Sequence, residues 1–173
     1  MSNIRDFVSS FKKDIARPSR FDVYLNLPPL IRGQFFDYDT ESILYRCETA
    51  QLPARTLGTT EQKTYGPTEK FPYMTNFTDL DLTFIVDDDM GTKKFFDAWL
   101  EYINPLYSND FQYKENYSAD IRINQYSLDN KLTYSVNVLD AYPISVNQLD
   151  LDWGSDGYHK LNVTFAYTRW EQN

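Results

Sequence analysis

Asp150, Asp152 and Asp156 fall close together beside Gly154 and Gly157, and carboxylates at that density are what a calcium loop uses. An EF-hand loop needs oxygen ligands at positions 1, 3 and 5, glycine at 6 and glutamate at 12. Counted from Asp152, position 3 is Gly154 and position 12 is Val163; counted from Asp150, positions 5 and 6 are Gly154 and Ser155. Neither register works, and the run reads as a hairpin turn. Asp87, Asp88 and Asp89 form the other acidic cluster. Three consecutive carboxylates cannot all point at one ion, whereas at a helix start they satisfy free N–H groups and complement the dipole.

Nucleophilic chemistry needs a base near the nucleophile. Cys47 is the single cysteine and His159 the single histidine, far apart in sequence, and no Gly-x-Ser-x-Gly elbow accompanies them. Cys47 reads as a small core residue. One cysteine also excludes an intrachain disulfide framework or a cysteine zinc site. No glycine-rich phosphate loop is present. Any two of the 25 acidic residues could meet in space as a glycosidase pair, so that alternative stays open. The reading is of a protein with no catalytic, cofactor or metal residues.

The elements behind these residues centre on Asp79–Asn104. Leu80, Leu82, Phe84 and Val86 alternate with Asp79, Asp81, Thr83 and Ile85, a period of two that predicts a strand with one apolar face. After the acidic turn the period changes. Over residues 90–103, Phe95, Phe96, Trp99, Leu100, Tyr102 and Ile103 fill one arc of a helix, with Lys93, Lys94, Asp97 and Glu101 opposite. Pro105 ends the helix at Asn104. Phe95, Phe96, Trp99 and Leu100 are the expected core of this helix, with Lys94, Asp97 and Glu101 turned outward.

Residues 1–16 space Ile4, Phe7, Val8, Phe11 and Ile15 three to four apart, an amphipathic arm ended by Arg17-Pro18. Phe21, Val23 and Leu25 alternate as a first strand, closed by Pro28-Pro29. Leu30–Thr40 lacks a period and reads as a surface excursion; Ser42–Thr49 reads as a second strand. Residues 55–74 alternate without an apolar face, with Thr56, Gly58, Thr60, Gln62 and Thr64 on one side. This is expected to be a projecting hairpin turning near Gly66-Pro67, exposed unless something pairs with it.

Asn104–Ala119 reads as a Tyr-rich loop and Asp120–Tyr126 as a strand. Lys131–Leu139 is a further strand, with Leu132, Tyr134, Val136 and Val138 inward and Lys131, Thr133, Ser135 and Asn137 outward, ended by Pro143. Ile144–Trp153 and Lys160–Trp170 form a last strand pair across Gly154–Gly157. Seven or eight strands and one packed helix predict a mainly β chain, a β-sandwich or barrel in a single domain of residues 1–173.

Fourteen Tyr and twelve Phe suit strands whose outer faces are half covered, as in an oligomer, and equally an aromatic-rich core. The net charge of −8 opposes tight binding to a nucleic-acid backbone. No window approaches about 18 apolar residues, and the N-terminus lacks the apolar run of a signal peptide; a soluble, non-secreted protein without membrane contact is expected.

Ordered motifs then point to a family. Ala16-Arg17-Pro18-x-x-Phe21-x-Val23 and Cys47-x-Thr49-Ala50-x-Leu52-Pro53 come first, followed by Lys70-Phe71, the strand Asp79–Val86 and Phe95-Phe96-x-x-Trp99. Tyr142-Pro143, Leu149-x-Leu151-Asp152-Trp153 and Val163-Thr164-Phe165-Ala166-Tyr167 complete the series. Together they resemble the tail tube proteins of contractile-tailed bacteriophages, which are related to tubes of type VI secretion and contractile injection systems. The chain departs from the pattern in a longer link over residues 26–42 and in a longer loop after the helix.

The resemblance implies a structural, non-enzymatic subunit of the virion tail, assembled in the host cytoplasm. It implies homo-hexameric rings that close sheets between neighbours and stack into a tube inside a contractile sheath. DNA would pass through that tube during ejection without specific binding, and the tail sheath, baseplate and tail terminator proteins would be partners. Subunit or ring contacts are expected from the arm and hairpin, at Phe7, Phe11, Arg17, Thr60, Gln62, Thr64 and Tyr65. A baseplate-proximal tube initiator and a secretion-system tube protein are alternatives within the family. Outside it stands a small ligand-binding β-sandwich, for which Tyr and Trp would also serve.

Overall fold

A computed structural model describes residues 4–10, 15–28, 40–62, 65–154 and 156–173. Among the described residues nine strands dominate: β1 (Phe21–Asn26), β2 (Cys47–Ala50), β3 (Arg55–Gln62), β4 (Glu69–Phe77), β5 (Leu80–Ile85), β6 (Ala119–Tyr126), β7 (Leu132–Val146), β8 (Lys160–Ala166) and β9 (Arg169–Gln172). The helices among the described residues are α1 (Ile4–Ser10), α2 (Thr40–Tyr45), α3 (Gly91–Ile103) and α4 (Lys114–Tyr117). Strands follow the order β1-β6-β7-β8-β5-β2, with β9 also on β7, while β3 and β4 form a sheet of their own.

All these pairings are antiparallel, and β7 belongs to two sheets. Its first part pairs with β6 and β9, and its last part pairs with β8. Strand β9 prolongs the line of β8: Phe165 faces Pro143, Ala166 faces Tyr142, Arg169 faces Leu139 and Trp170 faces Val138. The expected strand Lys160–Trp170 is therefore one ladder interrupted at Tyr167-Thr168, where the hairpin passes from one sheet to the other. Asp140, at φ 55°, marks the corner. Lys114 on α4 ties it, donating to Thr168 Oγ1 and lying 3.9 Å from Asp140 Oδ2.

The alternation read in Leu80–Ile85 sets the core. Leu80, Leu82 and Phe84 are buried, as are Leu161, Val163 and Phe165 beside them on β8. Val23, Ile121, Ile123, Val136 and Val138 supply the other sheet. Helix α3 packs its aromatic arc onto this core. Phe96 lies 5.1 Å from Phe84 and 6.1 Å from Phe165 between ring centroids, and Trp99 lies 6.1 Å from Phe165. The Trp99 indole N–H donates to the Tyr117 carbonyl at 3.0 Å, so α4 satisfies its polar edge. Each such ring contributes about 1.5–3 kcal/mol by leaving water. Lys94, Asp97 and Glu101 are exposed as read, while Leu100 is half-buried rather than buried. Asn104 leaves the helical region (φ −143°) just before Pro105, and its N–H closes the last turn onto Leu100.

Several expectations are corrected. Ser42–Thr49 is not one strand: Thr40–Tyr45 is helical, a turn follows at Arg46, and only Cys47–Ala50 is extended. Ile43 is buried and the adjacent Leu44 packs on the core, while Tyr45 is exposed. Two consecutive residues on one side fit a helix, not a strand whose side chains alternate. Pro143 does not end its strand, which runs to Val146. Strand β6 begins at Ala119, opposite Ala141, so β8 alone borders β7 at Pro143, and the register shifts between Pro143 and Ser145. Proline is tolerated at such bulges.

The strand expected over Ile144–Trp153 stops at Val146, and residues 147–154 and 156–159 belong to no strand or helix. Along β7, Leu132 is 56% exposed and Tyr134 half-buried, while the expected outward Ser135 is buried and donates to Asn124 Oδ1 at 2.7 Å. The Tyr-rich loop holds the short helix α4. Most of the expected excursion over residues 30–40 lies outside the described residues.

Candidate assembly surfaces

Strands β3 and β4 expose nearly every residue on both faces. Their sequence explains this, because Thr, Glu, Gln and Lys occupy positions that a core would fill with apolar groups. Thr60 stands opposite Phe71 and Gln62 opposite Glu69, and the register shifts between Gly58 and Thr59, leaving Tyr73 as the extra residue of a bulge. A Cβ on Gly58 would lie 3.3 Å from the Tyr73 ring and 3.5 Å from Met74, so the missing side chain makes room for them. Phe71, Tyr73 and Met74 thus give the hairpin an exposed apolar strip. Pro72 fits because β4 has a ladder partner on one side only.

Of the residues singled out by sequence, Thr60 and Gln62 share one face of this hairpin, and Tyr65 is fully exposed at its tip. Phe7 sits exposed on α1, and Arg17 is exposed ahead of β1, where its carbonyl accepts from Gln125 Nε2 at 3.4 Å. Phe11 and Thr64 lie outside the described residues. Phe95, Phe96 and Trp99 belong to the core, not to a surface.

Sequence reasoning missed the loop after β7. A groove of about 750 Å³ is lined by Asn147–Trp153 and Gly157–Lys160. Trp153 is fully exposed, Leu151 86% exposed and Tyr158 61% exposed. Asp152 Oδ1 accepts the Gly154 N–H at 3.0 Å, a tight turn that holds Trp153 at its apex. One wall is fixed by Lys160, which donates to Glu48 Oε1 at 2.8 Å and lies 5.2 Å over the Tyr158 ring. Hydrogen bonds with Glu48 and Tyr158 hold its ammonium above the ordinary lysine value. The signal in sequence was Leu149-Asp150-Leu151-Asp152-Trp153, an alternation whose apolar members have no strand opposite them.

At the start of α3 the acidic turn does cap, though not in the simplest way. The capping position is Met90, in the left-handed region at φ 57°, and its side chain caps nothing. Asp89 Oδ1 instead accepts the Gly91 N–H at 3.0 Å, and Asp87 pairs with Arg46. Partial burial pushes the Asp87 carboxyl up. A hydrogen bond shared between the Asp87 and Asp89 carboxyls, backbone N–H donors at Asp87 and Thr92 and the Arg46 guanidinium outweigh it and leave Asp87 below its ordinary value. Burial pushes the Cys47 thiol up to about 12, so it stays protonated and unreactive at neutral pH. Among the described residues no group of three or more His, Cys, Asp or Glu could hold a metal ion, and no helix is long and apolar enough to cross a membrane.

A family model described as "Phage tail tube protein" matches residues 16–173. No curated protein matches the sequence. Among solved structures, a chain of the anti-feeding prophage baseplate is similar at 16% identity and TM-score 0.67, over 93% of this chain and 97% of that one. A chain of the anti-feeding prophage tube-terminating cap is similar at 19% identity and TM-score 0.64, over 93% and 92%. A chain of the sheath–tube complex of the extracellular contractile injection system PVC, in its extended state, is similar at 17% identity and TM-score 0.64, over 95% and 96%. At these identities the likeness is one of fold. The family match covers most of the chain, which therefore belongs to the phage tail tube protein family.

Proposed function

We propose that this tail tube protein is the repeating structural subunit of a contractile tail, with six copies closing into a ring and rings stacking into a conduit. The observation that carries the reading is the hairpin of β3 and β4. It exposes both faces and an apolar strip in a chain of this family, and an isolated two-stranded hairpin is marginal in water. A neighbour that covers Thr60, Gln62, Phe71 and Tyr73 resolves both difficulties. Among the described residues strands β1 and β2 end the sheet path with one ladder partner each, and pairing or covering such edges between neighbours removes a site of uncontrolled association.

In this reading the tail sheath surrounds the tube, the baseplate and tail terminator proteins bound it, and the particle assembles in the host cytoplasm. The net charge of −8 per chain favours a conduit along which DNA slides rather than sticks. The work is structural and asks for no catalytic group.

Native mass spectrometry of the purified chain tests the ring. A six-copy species that grows with concentration is expected; a monomer at every concentration contradicts the proposal. Rings that form but never stack would assign the chain to an end of the tube instead.

A further inference from the structure

The loop groove of residues 147–160 joins exposed apolar groups to uncompensated acid. Leu151, Trp153 and Tyr158 stand exposed around it. Asp150, Asp152 and Asp156 lie in the same stretch, and none takes part in an ion pair among the described residues. Its one lysine, Lys160, is already engaged by Glu48. A surface of this kind fits a partner segment that is both apolar and basic.

This chain carries such a segment at its other end. The first 20 residues hold Arg5, Lys12, Lys13, Arg17 and Arg20 against only Asp6 and Asp14, in a protein whose net charge is −8. The same residues carry apolar groups at helical spacing, and the described part is helical over Ile4–Ser10, with Ile4 81% exposed and Phe7 64% exposed. An amphipathic helix laid into a groove through anchors three to four apart is a common mode of recognition.

We infer that the N-terminal arm of one copy docks in the 147–160 groove of a second copy, its apolar side against Leu151, Trp153 and Tyr158 and its basic side against Asp150 and Asp156. The inference rests on the tube reading, because it needs adjacent copies, and it assigns the arm a specific receptor. Docking of this kind is directional, so it orders copies head to tail around a ring or between rings.

Thiol cross-linking on the assembled full chain tests it. In a Cys47→Ser background, Ser9→Cys and Gln148→Cys are combined and treated with a short bismaleimide. Covalent ladders of two and more chains are expected from the double variant, and none beyond background from either single variant. In parallel, Asp150→Lys with Asp156→Lys is expected to raise the concentration needed for assembly about tenfold, the size for two modest charge pairs turned repulsive. Lys12→Asp with Arg17→Asp in the same chain is expected to restore it. Assembled particles with no linkage, or with linkage only inside single chains, overturn the docking and leave the tube reading standing. A wild-type chain that never assembles removes both.

Discussion

Trp99 concentrates the demands made on a single residue in this fold. It is completely buried, meets Phe95, Phe96 and Phe165, and has its one polar atom satisfied by the Tyr117 carbonyl. Trp99→Ala is expected to lower unfolding free energy by about 3–5 kcal/mol, measured by chemical denaturation, because it removes the ring and leaves a cavity. Asp87 makes a subtler test. Its folded carboxyl lies below the ordinary value, so the stability it brings is present above the unfolded value of about 3.9 and is lost as pH falls through the folded one. Asp87→Asn should therefore cost about 1 kcal/mol at neutral pH, a difference that closes as pH falls through the folded value of Asp87. A difference that persists unchanged in acid would mean that the charge is not what Asp87 contributes.

At the scale of elements, the hairpin of β3 and β4 and the body should respond differently to substitution. Phe71→Asp and Tyr73→Asp change exposed positions, so monomer stability should move by no more than about 0.5 kcal/mol. Sedimentation should show assembly abolished; loss of the monomer fold instead would place these rings in a core. Backbone hydrogen exchange gives a second readout, with β3 and β4 exchanging fast in the monomer and slowly in the assembly.

Elements also divide by how visible they were in sequence. β5 and α3 were legible because each has one wet and one dry face, so its period survives in the residue order. The break at Tyr167-Thr168 and the passage of β7 through Pro143 were not, since both depend on where a partner strand ends. Helix α2 was hidden because six residues hold less than two turns, too few for a period to emerge. Among the surface residues, Thr60, Gln62 and Tyr65 could be read from a segment with no apolar face. Trp153 could not, because only the folded chain reveals that its ring is fully exposed.

For the whole molecule, four features that a monomer leaves unexplained lie on its surface. They are a two-faced exposed hairpin, a basic apolar arm, an acidic apolar groove and strand edges with one partner. In the interior the polar groups at Trp99, Asn124 and Ser135 are hydrogen-bonded and the apolar residues form one cluster. A stable body with an unfinished surface is what a building block of a polymer requires. Electron microscopy of the purified protein at high concentration tests that claim most directly. Six-fold rings stacked into tubes of one regular width are predicted. A monodisperse monomer that never polymerises would contradict the account.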